Sequence, residues 1–202
     1  MKTLTLTAAL LVATVLGLSN TASAAVKFDE KQSTVLTEVT RVNQIEVYGN
    51  VELYVSDGSA DQVKVYNRYY QESALVQDQN GVLRISSYKA EKLIVWVTVS
   101  DLRSLSLYDN ATVKSFGKLS ALALDVKLYN NASAELDLDA CQANISLSNQ
   151  AKANLSGTIN EGELKYDRSA FVNITKLVCI NLAQIVNFGR TEKNTLSDIA
   201  AL

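Results

Sequence analysis

Four stretches of this chain read alike when written one beneath the other: "LSLYDNATVKS" (Leu105–Ser115), "VKLYNNASAEL" (Val126–Leu136), "ISLSNQAKANL" (Ile145–Leu155) and "LKYDRSAFVNI" (Leu164–Ile174). A fainter fifth, "AQIVNFGRT", starts at Ala183. The starts lie 21, 19, 19 and 19 residues apart. Self-similarity at such a period marks a repeat architecture. Within a row the apolar residues take the first, third, seventh, ninth and usually the eleventh position. That alternation has period two on each side of an interruption, which specifies strands and not a helix. The interruption holds Asp109-Asn110, Asn130-Asn131, Asn149-Gln150 and Arg168-Ser169. Asn and Asp accept left-handed or turn backbone and bond their own main chain. The seventh position is Ala111, Ala132, Ala151, Ala170 and then Gly189, small residues suited to a tight inward corner. Each row is therefore strand, corner, strand.

Rows stacked about 4.8 Å apart would share backbone hydrogen bonds on both sides. The expectation is an all-β, single-domain parallel β-helix with coils of 19–21 residues. A β-sandwich is the alternative, but its hairpins would not return one phrase in one direction at constant spacing. Upstream, "IEVYGNVELYV" (Ile45–Val55) fits the same template with Gly49-Asn50 at the corner. Between Val63 and Val99 come "VKVYN", "VLRISSY" and "LIVWVTV". Their spacers, "SDGSADQ" and "QDQNG", suit hairpins as well as coil corners. Both pairings stay open for residues 56–100.

The 202 residues are 48% hydrophobic and 20% charged, a globular composition for one domain. The net charge of −2 becomes −3 once the segment carrying Lys2 is removed, which gives nucleic acid no electrostatic reason to bind. The chain has no His, which excludes Ser-His-Asp and Cys-His catalysis and His-ligated metals. Two Cys are too few for a structural zinc site. No cofactor, metal or catalytic group is expected.

Residues 1–24 read as a signal peptide. "MKT" supplies the positive start, Leu4–Leu18 the short apolar core, and Ala22-Ser23-Ala24 the small residues of a cleavage site. No later stretch is long and apolar enough for a membrane-spanning helix. The mature chain is expected in the periplasm, at the cell surface or outside the cell. The expected organisation is a β domain over 25–189 and a C-terminal cap or flexible tail over 190–202.

Three stretches carry a family resemblance: "RVNQIEVYGNVELYVSDG" (Arg41–Gly58), "GVLRISS" (Gly81–Ser87) and "VWVTVSDLRSLSLYDNATV" (Val95–Val113). Together they make the chain, over about Val39 to Gly189, similar to the auto-transporter adhesin head GIN domain family of exported Bacteroidota proteins. The family's corners are rich in Gly and Ser, whereas here they are "YDNA", "YNNA", "SNQA" and "DRSA". The resemblance implies export, a β-helix-like fold and an adhesion or binding role. It supplies no catalytic residues.

Tyr48, Tyr108 and Tyr129 share the fourth position of their rows, so Tyr108 and Tyr129 should stack. They are the candidate contact points for a sugar ring. The alternative is an aromatic pair that stabilises the sheet. Trp96, in an alternating apolar run, reads as packing. Asp137 and Asp139 in "LDLDA" share a face, and paired carboxylates can hydrolyse glycosides; alternating Asp on a strand is ordinarily a solvated face. Asp109, Asn130 and Asn149 form a polar column, read as turn chemistry over Ca²⁺ ligation because Arg168 takes the next row. Cys141 and Cys179 each fall nine residues past a corner alanine, which puts them in one column two rows apart with Asn160 between. Two rows make about 9–10 Å, beyond the roughly 7 Å that a disulfide tolerates. Both thiols are expected free and buried.

The function expected is therefore a non-enzymatic, exported module that binds an envelope or extracellular glycan or protein. The alternatives are a polysaccharide-active enzyme on a similar scaffold, or a purely structural envelope protein.

Overall fold

The computed structural model describes residues 33–36, 41–66 and 74–187. The expected signal peptide (1–24) and C-terminal segment (190–202) lie outside them. Twelve strands appear in chain order: β1 Ser33–Leu36, β2 Gln44–Gly49, β3 Val51–Asp57, β4 Gln62–Tyr66, β5 Ala74–Gln79, β6 Val82–Ser87, β7 Leu93–Val99, β8 Ser104–Leu107, β9 Thr112–Leu128, β10 Ser133–Leu147, β11 Lys152–Asp167 and β12 Phe171–Asn187. All belong to one sheet. Its order is β1-β4-β7-β3-β9-β8-β2-β6-β5, with β10, β11 and β12 added in turn beyond β9.

The expectation of a single parallel β-helix is corrected here. The sheet is an open, curled half-barrel of mixed strand direction. β1 and β4, β4 and β7, and β5 and β6 all run antiparallel. The cause of one reversal is local. Asn80 and Gly81 have φ of 54° and 80°, and two successive positive φ values turn a strand straight back into a hairpin. That settles the "QDQNG" spacer as a hairpin loop. The order is also not sequential: β2 sits between β6 and β8, so the row of residues 82–99 packs outside the row that precedes it.

From β8 onward the neighbouring strands run parallel. Leu105 pairs with Val126, Val126 with Ile145, and Ile145 with Leu164, the first positions of successive rows. Period-two burial sends Leu136, Leu138, Ala143, Ile145 and Leu147 of β10 into one continuous core. Ala111, Ala132 and Ala151 are fully buried, and Ala170 is half-buried. Each donates its amide to the carbonyl three residues back, closing the corner.

Two irregularities change what faces outward. Glu135 pairs with Lys114 and Asp137 with Lys118, so Ser115, Phe116 and Gly117 together oppose Leu136. This bulge holds the two extra residues of the 21-residue row. In β12, Asn154 pairs with Asn173 but Ser156 with Lys176, a one-residue slip. Because side chains alternate, a slip of one exchanges the two faces. The fifth row therefore starts at Gln184, opposite Leu164, and not at Ala183. Cys179 falls opposite Ile159, which pairs with Ala140, so it does not share the column of Cys141. Cys141 is exposed and Cys179 half-buried, which corrects the expected burial of both.

Candidate functional site

The segment "IEVYGNVELY" (Ile45–Tyr54) organises two outer faces about one corner. Gly49 makes that corner at φ 80°. A Cβ there would lie 2.2 Å from the Ser87 carbonyl oxygen, so only glycine fits. Asn50 donates its side-chain amide to the carbonyls of Lys89 (3.1 Å) and Ala90 (2.9 Å), tying the corner to the neighbouring row. On either side of it the alternation points a Glu-x-Tyr pair outward: Glu46 and Tyr48 on β2, Glu52 and Tyr54 on β3.

On the first face Tyr48, Tyr108 and Tyr129 form a stack. Ring centroids lie 4.5 and 4.8 Å apart with planes 5° and 4° from parallel. The stacking expected of Tyr108 and Tyr129 is present, and Tyr48 extends it. The rings cover one another's faces, so the stack offers its phenol edges; beyond Tyr129 the row continues with Ser148, too small to cover the last ring. Tyr48 donates to Glu46 Oε2 at 3.2 Å. Glu46 also accepts from Gln44 Nε2 at 2.7 Å and Arg84 Nε at 2.9 Å. Burial, reinforced by the Glu46 charge, pushes the Tyr48 phenol up to about 12. Burial and the neighbouring Tyr129 raise Tyr108. Burial alone would raise Glu46, but the Arg84 and Tyr48 hydrogen bonds and the Arg84 charge hold it below its usual 4.5. The face thus presents neutral hydroxyls beside a fixed ion pair.

On the second face Trp96 packs, as its sequence context suggests, but against aromatic neighbours outside the core. Val95 and Val97 are buried, and the alternation leaves Trp96 on the outside, half-buried. It stacks on Tyr54 at 4.8 Å and 16°, and meets Phe116 at 5.4 Å and 56°. Lys114 Nζ sits 5.8 Å from the Tyr54 ring centre. Glu52 accepts from Tyr54 OH at 3.0 Å and pairs with Lys114 at 3.2 Å and Lys92 at 3.7 Å. The strict alternation of "LIVWVTV" already carried the signal that Trp96 lies opposite its valines.

At the corners, Asn149 Nδ2 donates to Asn130 Oδ1 and Asn130 Nδ2 to Asp109 Oδ1, both at 3.1 Å. Tyr88 OH donates to Asp109 Oδ2 at 3.3 Å. Asp109, Asn130 and Asn149 all have φ of 62–63°. The column is a hydrogen-bonded ladder of turn residues. Asp137 and Asp139 lie on the outer face of β10, half-buried and exposed respectively. An open cleft of ≈ 530 Å³ lies elsewhere, over Gln142, Asn144, Glu161, Glu163 and Asn181.

The curled sheet thus carries two aromatic faces outside its core. The chain belongs to the family described as "Putative auto-transporter adhesin, head GIN domain", whose model matches residues 41–187. No curated protein matches it. The crystal structure of a putative lipid binding protein from Parabacteroides distasonis ATCC 8503 is similar at TM-score 0.61 and 8% identity, over 76% of this chain and 77% of that one. A putative adhesin from the same organism is similar at TM-score 0.57 and 16% identity, with the same coverage. One from Parabacteroides merdae ATCC 43184 reaches 0.59 and 13%, over 76% of each chain. At these identities the likeness is one of fold, the open curled sheet. The family and these neighbours are described as adhesins or a lipid-binding protein, not as enzymes.

Proposed function

We propose that this protein is an exported, non-enzymatic binding module. It would engage an envelope or extracellular glycan or protein through the face that carries Tyr48, Tyr108 and Tyr129. The stack is the observation that carries the reading. Three phenols held at row spacing by the sheet present a preorganised line of hydroxyl edges, so little entropy is lost on binding. The Tyr48 phenol, pushed up to about 12, stays neutral at physiological pH; its one O–H is given to Glu46, so its oxygen is left to accept from the ligand. The family description supports an adhesive role, and the N-terminal sequence supports export. The proposed organisation is removal of residues 1–24, a binding domain over 25–189 and a terminal cap or tail over 190–202.

The test is a glycan-array and cell-surface binding screen of the secreted form, repeated with Tyr108→Ser/Tyr129→Ser. Both residues are half-buried on the outer face, so the double variant should fold and lose binding. Binding that survives it would place the contact elsewhere and leave the stack a packing feature. N-terminal sequencing should find Ala25-Val26-Lys27; an intact chain in the membrane fraction would overturn export by cleavage.

A further inference from the structure

We propose that Trp96, Phe116, Lys64 and Lys114 form a second binding site, one for a negatively charged sugar residue of an acidic polysaccharide. Across β4, β7, β3 and β9 the register sets Lys64 opposite Trp96, Trp96 opposite Tyr54, and Tyr54 opposite Lys114. These four residues alternate outward, so a lysine brackets each end of an aromatic pair in a row spanning about 14 Å. Phe116 completes the site. The residue is 65% exposed, and the bulge at Ser115–Gly117 carries its ring across to Trp96, so two ring planes meet at 56° as an aromatic corner. Bulges re-aim side chains in this way and recur beside functional sites. Ser56 and Thr98, hydrogen-bonded to each other at 3.2 Å, supply hydroxyls one step further along β3 and β7.

The chemistry of these groups selects the ligand. The exposed Phe116 ring, backed by Trp96, takes the C–H face of a sugar ring, nearby hydroxyls take its oxygens, and lysines take a carboxylate or sulfate. Lys64, Lys92 and Lys114 outnumber Glu52, which two of them already neutralise, and Glu135, which pairs in register with Lys114. The face keeps a positive balance in a chain whose net charge is −2. The first face has no such balance, since Arg84 there is matched to Glu46.

Trp96 is the only tryptophan of the chain, so its fluorescence reports this site alone. Titration of the secreted protein with an oligogalacturonate should shift the emission saturably, and a neutral galactose oligomer of equal length should not. Phe116→Ala and Lys64→Gln should each weaken the apparent affinity about tenfold, and added salt should weaken it further. Phe116→Ala removes an exposed ring, and an unchanged melting temperature will confirm its fold. Tyr108→Ser/Tyr129→Ser should leave the titration unchanged, which separates this site from the tyrosine face. No emission change, an equal response to the neutral oligomer, or full affinity in Phe116→Ala would each overturn the proposal.

Discussion

Asn130 sits in the middle of the corner ladder, and replacing it separates two contributions that the structure superimposes. Its backbone has φ of 63°, and its side chain gives one hydrogen bond to Asp109 and takes one from Asn149. Alanine loses both bonds, worth about 0.5 kcal/mol each at the solvent-exposed end of the range. It also forces a plain Cβ into left-handed backbone, at about 1–2 kcal/mol. Asn130→Ala should therefore cost about 2–3 kcal/mol. Asn130→Gly loses the same bonds but does not strain the backbone, so with glycine's extra chain entropy it should cost about 1.5–2 kcal/mol. Asn130→Asp keeps the tolerant backbone but sets a second carboxylate against Asp109, and its cost should shrink as salt is added. Urea unfolding followed by Trp96 fluorescence measures all three, with unchanged slope as the check that only stability has moved. For a domain of this size each kcal/mol moves the melting point by about 2–4 °C. If alanine costs no more than glycine, the left-handed corner is not what selects Asn there. If neither costs anything, the ladder contributes nothing.

Ala151→Leu should overpack a corner that is fully buried and cost about 1–3 kcal/mol; an unchanged unfolding midpoint would show that the site yields. Burial alone would raise the Glu46 and Glu52 carboxyls, but their hydrogen bonds and paired cations hold both below 4.5. The stability they contribute is full above that value and falls away as pH drops through the lower folded values. Stability of Glu46→Gln/Glu52→Gln measured from pH 6 to pH 2.5 should accordingly decline less than that of the parent, and a parallel decline would refute the account. With Cys141 exposed and Cys179 half-buried in a different column, thiol titration without reductant should find Cys141 reacting first in the native protein and two thiols once unfolded. Finding none would show a disulfide and a wrong register.

Much of the parallel half was legible from residue order. The rows from Leu105 to Ile174 announce themselves because one phrase recurs, and its period-two alternation leaves one choice of inner face. The tyrosine stack follows from the same alignment, since equal positions in paired rows are neighbours. The aromatic corner was half legible: the alternation of "LIVWVTV" places Trp96 opposite buried valines, but nothing local says that Phe116 reaches it. The bulge at Ser115–Gly117 appears in the sequence only as a spacing of 21 in place of 19.

The fold class was decided elsewhere. Apart from the local Asn80-Gly81 hairpin, whether residues 56–100 coil or reverse depends on which strands meet, and that is settled by contacts far apart in the chain. β2 lies between β6 and β8, and β4 runs antiparallel to β7. The local alternation of each strand satisfies either arrangement, because it states which side is apolar and not which neighbour supplies the hydrogen bonds. The slip in β12 is of the same kind. One extra residue between Asn173 and Lys176, against the single Leu155 between Asn154 and Ser156, exchanges the two faces and separates Cys179 from Cys141. Residue order determined the alternating strands, their corners and the recurring outward tyrosines, because these depend on neighbours along the chain. Strand direction, strand order and register shifts came only with the tertiary structure, because backbone pairing is blind to side-chain pattern until the whole sheet closes on one core.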